Sequence, residues 1–432
     1  METSLQTAAP PTPTNLTRQA NFLLDLAQAL HLSGLHSYEL ERQLNAVGNQ
    51  LGVRVVCFAV LTMLTLNLTA EDGTQKVVMT RLPPYDYNMA RLIALEDMLT
   101  RIEGPDCLDR IESELKTIMG TPPLWTGWSF VFFGFLLSAG VAVLLRGGWV
   151  EIACGGVIGA LFVRGFLALS PYPRLGPAIP VILCALAALL AHLSAIVLPQ
   201  QSPFITSVAG VVFLLPGFML TVAMSELATQ NLLAGTGRLA GVFLLLFLMG
   251  AGLAIGTEIG THLVPEHATG APLPLPSWIV WPAIVVLGLS MLGVLQAPWR
   301  STHALIIGCL LTWSVFSIVN TGFGMIVGAF AGALAVGFAG HFYNALTGKP
   351  AILVKIPGII TLVPGSVGFR GLHALMEQDS ATGVGLLTDM VITGAVLAVG
   401  LLLADNLGPP VFKRLRHERK RLRAALRARR SQ

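Results

Sequence analysis

Two Pro-Gly dipeptides interrupt long apolar stretches of the sequence, Pro216-Gly217 and Pro364-Gly365. Proline removes a backbone hydrogen bond from a helix and clashes with the preceding turn, so the freed backbone groups must find other partners. A helix that restarts at such a break turns its N-terminus toward the site, which suits a carboxylate. A simple kink is the alternative interpretation. The residues at and near the breaks that we predict to bind a small molecule are Pro216, Gly217, Thr361, Pro364, Gly365, Ser366 and Arg370.

Five carboxylates lie in or beside the apolar stretches and are candidates to carry a proton. Burial disfavours the charged form of a carboxyl group, so such a group gains proton affinity. Ionisable groups inside membrane spans are costly and are therefore functional hypotheses. A helix cap or an ion pair at the water interface is the alternative for each of them. The candidates for proton coupling are Glu226, Glu258, Glu377, Asp389 and Asp405.

Signatures of other chemistry are missing from the sequence. No GxxxxGK[ST] nucleotide loop occurs, and the five cysteines are scattered without a CxxC pair. His36 and Glu39 lie one helical turn apart but lack a nucleophile or a third ligand. We therefore predict no cofactor, no resident metal and no catalytic residue, and hence a protein that is not an enzyme.

The composition predicts a membrane protein with a polar head. Of 432 residues, 54% are hydrophobic and 12% are charged, whereas soluble proteins carry roughly 25% charged residues. Residues 1–120 hold 23 charges, residues 121–410 hold 16, and residues 411–432 hold 10 Lys/Arg and one Glu. The net charge of +4 therefore comes from the tail, and a nucleic-acid partner is not indicated.

Apolar runs of about 20 residues, the length needed to cross hydrocarbon, begin after Leu124. We predict ten transmembrane helices, at about 127–146, 149–169, 176–198, 204–224, 238–261, 278–296, 302–319, 322–346, 351–374 and 384–405.

The membrane region contains a repeat. Residues 209–217 align with 357–365 at an offset of 148, and residues 146–149 align with 296–299 at an offset of 150. Gly252 matches Gly400 at the first of these offsets. Because five spans separate equivalent positions, corresponding helices should run in opposite directions. We therefore predict two inverted five-helix repeats, an arrangement that places the substrate site of many secondary transporters at the repeat interface.

The sequence divides into six segments. We predict a disordered leader (1–17), a cytoplasmic α+β domain (18–123), a first membrane half (124–262), an external linker (263–277), a second membrane half (278–410) and a basic cytoplasmic tail (411–432). In the head, helices are expected at 21–33, 37–49, 88–103 and 106–119, and the runs 53–68 and 74–82 predict a hairpin.

Charge sets the predicted orientation. The even number of spans places both termini on one side, and the basic tail makes that side cytoplasmic. The linker between the halves has no Lys or Arg, as expected outside. We predict a multi-pass protein of the inner (plasma) membrane, in contact with lipid, and leave a homo-oligomer open.

The order of these parts resembles the threonine/serine exporter family from about Asn21 to Gly408. The similar segments are the head sequence Ala29-Leu-His-Leu-Ser-Gly-Leu-His-Ser-Tyr-Glu-Leu-Glu41, Leu51-Gly52, the Trp149 turn and both Pro-Gly segments. The resemblance implies ten spans and export of L-threonine and L-serine, driven by the proton motive force. It implies no catalytic residue.

Three alternatives stay open. Related two-chain versions are associated with dicarboxylate export, and Arg370, Lys355 and Lys349 near the second break are compatible with that substrate. A passive channel would need no titratable carboxylate in its spans. A membrane-anchored hydrolase would use the head.

Overall fold

A computed structural model describes residues 15–35, 37–60, 62–82, 87–102, 104, 107–199, 201–264, 270–362, 365–376, 378–415 and 418. Pro364 and Glu377 lie outside these residues, as do 1–14 of the leader and most of the basic tail. The chain forms two compact units. The first, the head, comprises Met1–Asp86 and Ala94–Thr121; the second, the membrane unit, comprises Tyr87–Ile93 and Pro122–Gln432.

Helices pack on one face of a small sheet in the head. Its elements are α1 (Asn15–Leu32), α2 (Ser37–Gln50), β1 (Arg54–Val60), β2 (Met63–Thr69), β3 (Gln75–Arg81), α3 (Met89–Leu99) and α4 (Leu108–Gly120). The sheet is antiparallel in the order β1-β2-β3. Leu64, Leu66 and Leu68 alternate along β2 and are fully buried, as expected for a sheet with one covered face.

The predicted hairpin is present between β2 and β3, but the run 53–68 forms two strands rather than one. In the register of the sheet, Val60 pairs with Met63, so the chain folds back within this run. A single 16-residue strand would extend over roughly 50 Å. The next run supplies only the seven residues of β3 as a partner. Folding back gives every strand a partner of its own length.

The membrane unit consists of helices. They are α5 (Gly127–Leu144), α6 (Trp149–Leu169), α7 (Ile179–Val197), α8 (Pro203–Gly210), α9 (Gly217–Ala228), α10 (Leu232–Leu263), α11 (Val280–Val294), α12 (Thr302–Phe323), α13 (Met325–Thr347), α14 (Ile352–Leu362), α15 (Gly365–Met376) and α16 (Ser380–Val411). Over the described ranges, nine segments are long and apolar enough to cross a membrane, and the bent pair α8–α9 makes a tenth. This confirms the helical polytopic fold.

The first Pro-Gly dipeptide lies within a bent span, whose axis turns by 49° between Pro203–Gly210 and Val212–Ala228. At the second dipeptide, α14 and α15 are described on either side of residues 363 and 364, which lie outside the described residues. The predicted span at 204–224 is therefore a broken one, whereas Ile352–Leu375 counts as one apolar span.

The long last helices of the two halves, α10 and α16, have 32 residues each. The left-handed backbone positions recur as well. Arg146 (φ 63°) corresponds to Gln296 (φ 48°) at an offset of 150, and Gln230 (φ 66°) corresponds to Gln378 (φ 64°) at an offset of 148. The described non-glycine residues with positive φ are these four. They support the repeat, and the opposite direction of its halves stays a prediction.

The matched glycines Gly252 and Gly400 occupy equivalent contacts. A Cβ on Gly252 would lie 2.3 Å from the carbonyl oxygen of Val181 in α7, and one on Gly400 would lie 2.9 Å from that of Phe330 in α13. In each half, the long last helix therefore packs directly on the backbone of the third span. Helices α9 and α15 each also pack against the long helix of the opposite half.

Candidate functional site

The two Pro-Gly breaks meet inside the membrane unit. A Cβ built on Gly365 would lie 3.3 Å from both the Cα and the N of Gly217, and 3.4 Å from the Cβ of Leu215. Gly217 is the first residue of α9 and Gly365 the first residue of α15. We call this contact the helix crossing. It brings the start of α9, whose first amide groups lack intrahelical partners and carry partial positive charge, against the backbone of Gly365.

The predicted substrate residues lie at different distances from the surface. Pro216 precedes α9, and its carbonyl accepts a hydrogen bond from the Leu220 amide (3.0 Å). Thr361 is buried, and its hydroxyl donates to the Pro357 carbonyl (2.9 Å). Ser366 is half-buried, whereas Arg370 is exposed on α15. The crossing therefore holds Gly217 and Gly365 with their chain neighbours Pro216 and Ser366, whereas the Thr361 hydroxyl is used within its own helix and Arg370 is exposed.

Glu226 forms a buried ion pair. Arg238 Nε donates to Glu226 Oε2 and Arg238 Nη2 donates to Glu226 Oε1, both at 2.9 Å. The side chains are 2% and 3% exposed, respectively. This bidentate pair joins the end of α9 to the start of α10. Breaking one member of such a pair leaves an uncompensated buried charge, so the pair fixes the position of the half-helix that leads to the crossing.

Asp405 lies in a cluster of three ionisable side chains from three helices. His341 Nε2 in α13 lies 2.8 Å from Asp405 Oδ1 in α16, and Lys355 Nζ in α14 contacts the same oxygen. Lys355 Nζ also lies 3.3 Å from His341 Nε2. Two glycines leave room for these side chains, because a Cβ on Gly408 would lie 2.5 Å from the His341 ring and one on Gly340 would lie 2.8 Å from Lys355.

Glu258 and Asp389 are exposed. Glu258 is 77% exposed and lies 3.2 Å from His262, one turn along α10. Asp389 is exposed on α16. Asp405 is exposed as well, so Glu226 is the buried one of the four described candidates.

Glu151 is a functional-site neighbour that sequence reasoning missed. Its buried carboxylate accepts hydrogen bonds from the amides of Gly148 and Ser202, both at 2.8 Å. It thereby joins the start of α6 to the start of α8, the first helix of the broken span. The local signal was a glutamate three residues after Gly148 at a helix start, which is a capping arrangement.

The head holds one strongly perturbed carboxyl. Burial raises the pKa of Glu96 to about 8, with a further increase from the nearby Glu39 and an opposing effect of Arg42. Glu39 forms an ion pair with Arg42, and His36, its suggested catalytic partner, lies outside the described residues. Glu96 is therefore an acid–base group of the head and does not form an active site.

Comparisons with known proteins agree with the architecture. The family described as "Putative threonine/serine exporter" matches residues 21–260. The family described as "Threonine/Serine exporter, ThrE" matches residues 279–407. No solved structure matches the chain.

Named relatives cover most of the chain at low identity. A probable threonine/serine exporter of Mycobacterium tuberculosis is 25% identical over 83% of this chain and 70% of its own length. A threonine/serine exporter of Corynebacterium glutamicum is 23% identical over 92% of this chain and 86% of its own length. An uncharacterized protein of Schizosaccharomyces pombe is 24% identical over 82% of this chain and 44% of its own length. The two family matches together extend across the head and both membrane halves, and the chain belongs to the threonine/serine exporter family.

Proposed function

We propose that this protein is a secondary transporter that exports L-threonine and L-serine across the inner membrane, driven by the proton motive force. The observation that carries the proposal is the helix crossing, where the start of α9 meets Gly365 between the two halves. Membership of an exporter family supports the substrate class. The relatives named as threonine/serine exporters support it as well.

The substrate carboxylate binds at the helix crossing. The free amides at the start of α9 form a site for one negative group, without a cationic side chain. Gly217 and Gly365 allow the two backbones to approach there. Ser366, the residue after Gly365, supplies a hydroxyl group. A dicarboxylate would need a second anion site, and the exposed Arg370 does not provide one at the crossing.

Proton coupling uses Asp405. Its carboxylate holds Lys355 and His341, so its protonation removes the charge that attracts Lys355. Lys355 lies on α14, and α14 leads to the second Pro-Gly break. Loss of the Asp405–Lys355 attraction therefore frees α14 from α16 and alters the crossing. The charge of Glu226 is already balanced by Arg238, so Glu226 is a weaker candidate than Asp405. Glu258, Glu377 and Asp389 are the further candidates for substitution.

Both termini lie in the cytoplasm and the linker 263–277 lies outside. The basic tail supports this orientation, because Lys and Arg concentrate on the cytoplasmic side. The protein works in contact with lipid and protons, and a homo-oligomer is compatible with the outward-facing Asp389.

Efflux from preloaded cells that lack their own exporters tests this function. Cells are loaded with threonine, serine or succinate and followed with and without a protonophore. We expect rapid loss of threonine and serine that the protonophore abolishes. Loss of succinate alone would assign the dicarboxylate function instead, and loss of all three that ignores the protonophore would indicate a channel. Ester or amide hydrolysis by the intact chain would support the alternative of a membrane-anchored hydrolase.

A further inference from the structure

Thr221 carries a buried hydroxyl without a hydrogen-bond partner. Its side chain lies on α9, and the residue is 1% exposed. Throughout the described part of the chain, no group forms a hydrogen bond with its Oγ1. A buried polar group left unpaired costs about 1–3 kcal/mol, so such a group calls for an explanation.

Other threonines in the membrane unit satisfy their hydroxyls within their own helix. Thr312 donates to the Gly308 carbonyl (2.8 Å) and Thr361 to the Pro357 carbonyl (2.9 Å), in each case four residues back. Thr388 donates to the Val384 carbonyl in the same way (2.8 Å). The residue four positions before Thr221 is Gly217, and Thr221 does not make this bond. Its hydroxyl is therefore available to another group.

Thr221 lies on the side of α9 that faces the helix crossing. Residues four apart on a helix share a face, so Thr221 lies one turn beyond Gly217, which contacts Gly365. The side chains of the two residues before Thr221 contact other helices. Met219 reaches toward Gly241 of α10 (3.5 Å from the position of a Cβ there), and Leu220 packs against Gly394 of α16 (2.9 Å).

The distance suits a small amino acid. Four residues advance a helix by roughly 6 Å, and helical side chains lean back toward the N-terminus, which brings the Thr221 hydroxyl closer to the first turn of α9. A ligand whose carboxylate binds the start of α9 would place a polar group on its β-carbon near Thr221. The hydroxyls of threonine and serine are at that position of the amino acid.

We propose that Thr221 recognises the side-chain hydroxyl of the exported amino acid and thereby sets the preference for hydroxylated substrates. This inference rests on the proposed function, since it assigns the specificity of the same site. A site that hydrogen-bonds a substrate hydroxyl rejects the analogue without it, because the buried polar group then stays unpaired. Valine replaces the threonine hydroxyl with a methyl group of similar size, and alanine is serine without its hydroxyl.

Substrate competition in the full-length protein tests the proposal. The kcat/KM of efflux is compared for threonine against valine and for serine against alanine. In Thr221→Val we expect both ratios to fall at least tenfold, mainly through a higher KM for the hydroxylated substrates. Thr221→Ser keeps the hydroxyl, so both kcat/KM ratios should stay at their wild-type values. Thr312→Val is the matched control, because Thr312 is equally buried and its hydroxyl is used within its own helix.

Unchanged ratios in Thr221→Val, or an equal fall in Thr312→Val, would overturn the assignment of Thr221. Should the valine variant fail to reach the membrane, Thr221→Ala removes the same hydroxyl with a smaller side chain and decides the question by the same ratios. A wild-type protein that moves neither threonine nor serine would refute the proposed function itself, so the two failures are distinguishable.

Discussion

Gly365 approaches the backbone of Gly217 across the two halves of the membrane unit so closely that a side chain on Gly365 would force its neighbours to shift. A Cβ there would lie 3.3 Å from the Gly217 backbone. The contact joins residues 148 positions apart, the same offset at which the Pro-Gly motifs recur. The repeat, the Pro-Gly motifs and the start of α9 therefore coincide at one point.

The crossing should be intolerant of added volume. Gly365→Ala forces its neighbours to move by a few tenths of an ångström, and Gly365→Val forces a larger shift. Because misplacement by about 1 Å can cost a transport or catalytic site 100-fold in rate, we expect efflux to fall several-fold in the alanine variant and further in the valine variant. Efflux per molecule in the membrane is the measurement. Gly385→Ala on α16, with open space around it, is the control, and equal efflux in all variants would place the site elsewhere.

The Glu226–Arg238 pair should contribute to stability rather than to proton transfer. Arg238→Met leaves a carboxylate buried without its partner, which costs about 3–5 kcal/mol. The double change Glu226→Leu with Arg238→Met removes both charges and should recover most of the loss. Thermal unfolding of the detergent-solubilised protein measures both. His262→Gln, which affects an exposed pair, should leave the unfolding temperature unchanged. A double variant as unstable as the single one would show that the charges themselves are needed.

Asp405 and Asp389 can be separated by one comparison. Asp405→Asn removes the charge that holds Lys355 and His341, so we expect threonine efflux that no longer responds to the pH gradient while exchange of threonine across the membrane continues. Asp389→Asn alters an exposed side chain without a described partner contact, and gradient dependence should persist. Transport assays in membrane vesicles with an imposed pH gradient measure the gradient dependence of both variants. The reverse pattern would move coupling to Asp389.

The stability of the head should fall as pH rises. The pKa of Glu96 is raised by burial from 4.5 to about 8. Between these two values the unfolded chain releases the Glu96 proton while the folded head retains it, so the folded state loses stability through this window. Below pH 4.5 the contribution is fully present. Glu96→Gln should flatten the dependence.

Hydrogen exchange of the α3 amides in the intact protein measures this effect. Wild type and Glu96→Gln are compared at the same pH, so that the intrinsic exchange rate cancels. We expect the variant to be protected more strongly than wild type at pH 8.5, relative to pH 5, by a factor that corresponds to a few kcal/mol. Identical pH dependence in the two proteins would show that Glu96 titrates normally.

Local sequence patterns predicted much of this structure. Apolar length located the spans, and the first Pro-Gly dipeptide located the bent span, because these features depend on local backbone chemistry. The strand break after Val60 was missed, since a continuous run of β-branched residues carries no turn signal. Burial could not be inferred for Asp389, because a helix in lipid is apolar on every side and its pattern does not show which side faces the protein.

Partners far apart in sequence could not be predicted. His341 and Asp405 are 64 residues apart, and Lys355 and Asp405 are 50 apart. Their meeting depends on the packing of α13, α14 and α16, which follows from the whole fold. Glu226 and Arg238 are only 12 apart, yet their pairing requires the tight turn after α9. The unpaired state of Thr221 likewise appears only when every neighbour is in place.

The most direct test of proton-driven export through the crossing is threonine movement in liposomes that contain the purified protein alone. A pH gradient is imposed and the initial rate of labelled threonine movement is measured, with Gly365→Val liposomes in parallel. We predict movement that requires the gradient and is largely lost in the variant. Threonine movement at the same rate without a gradient would contradict proton-driven export. Movement at the wild-type rate in the Gly365→Val variant would contradict export through the crossing.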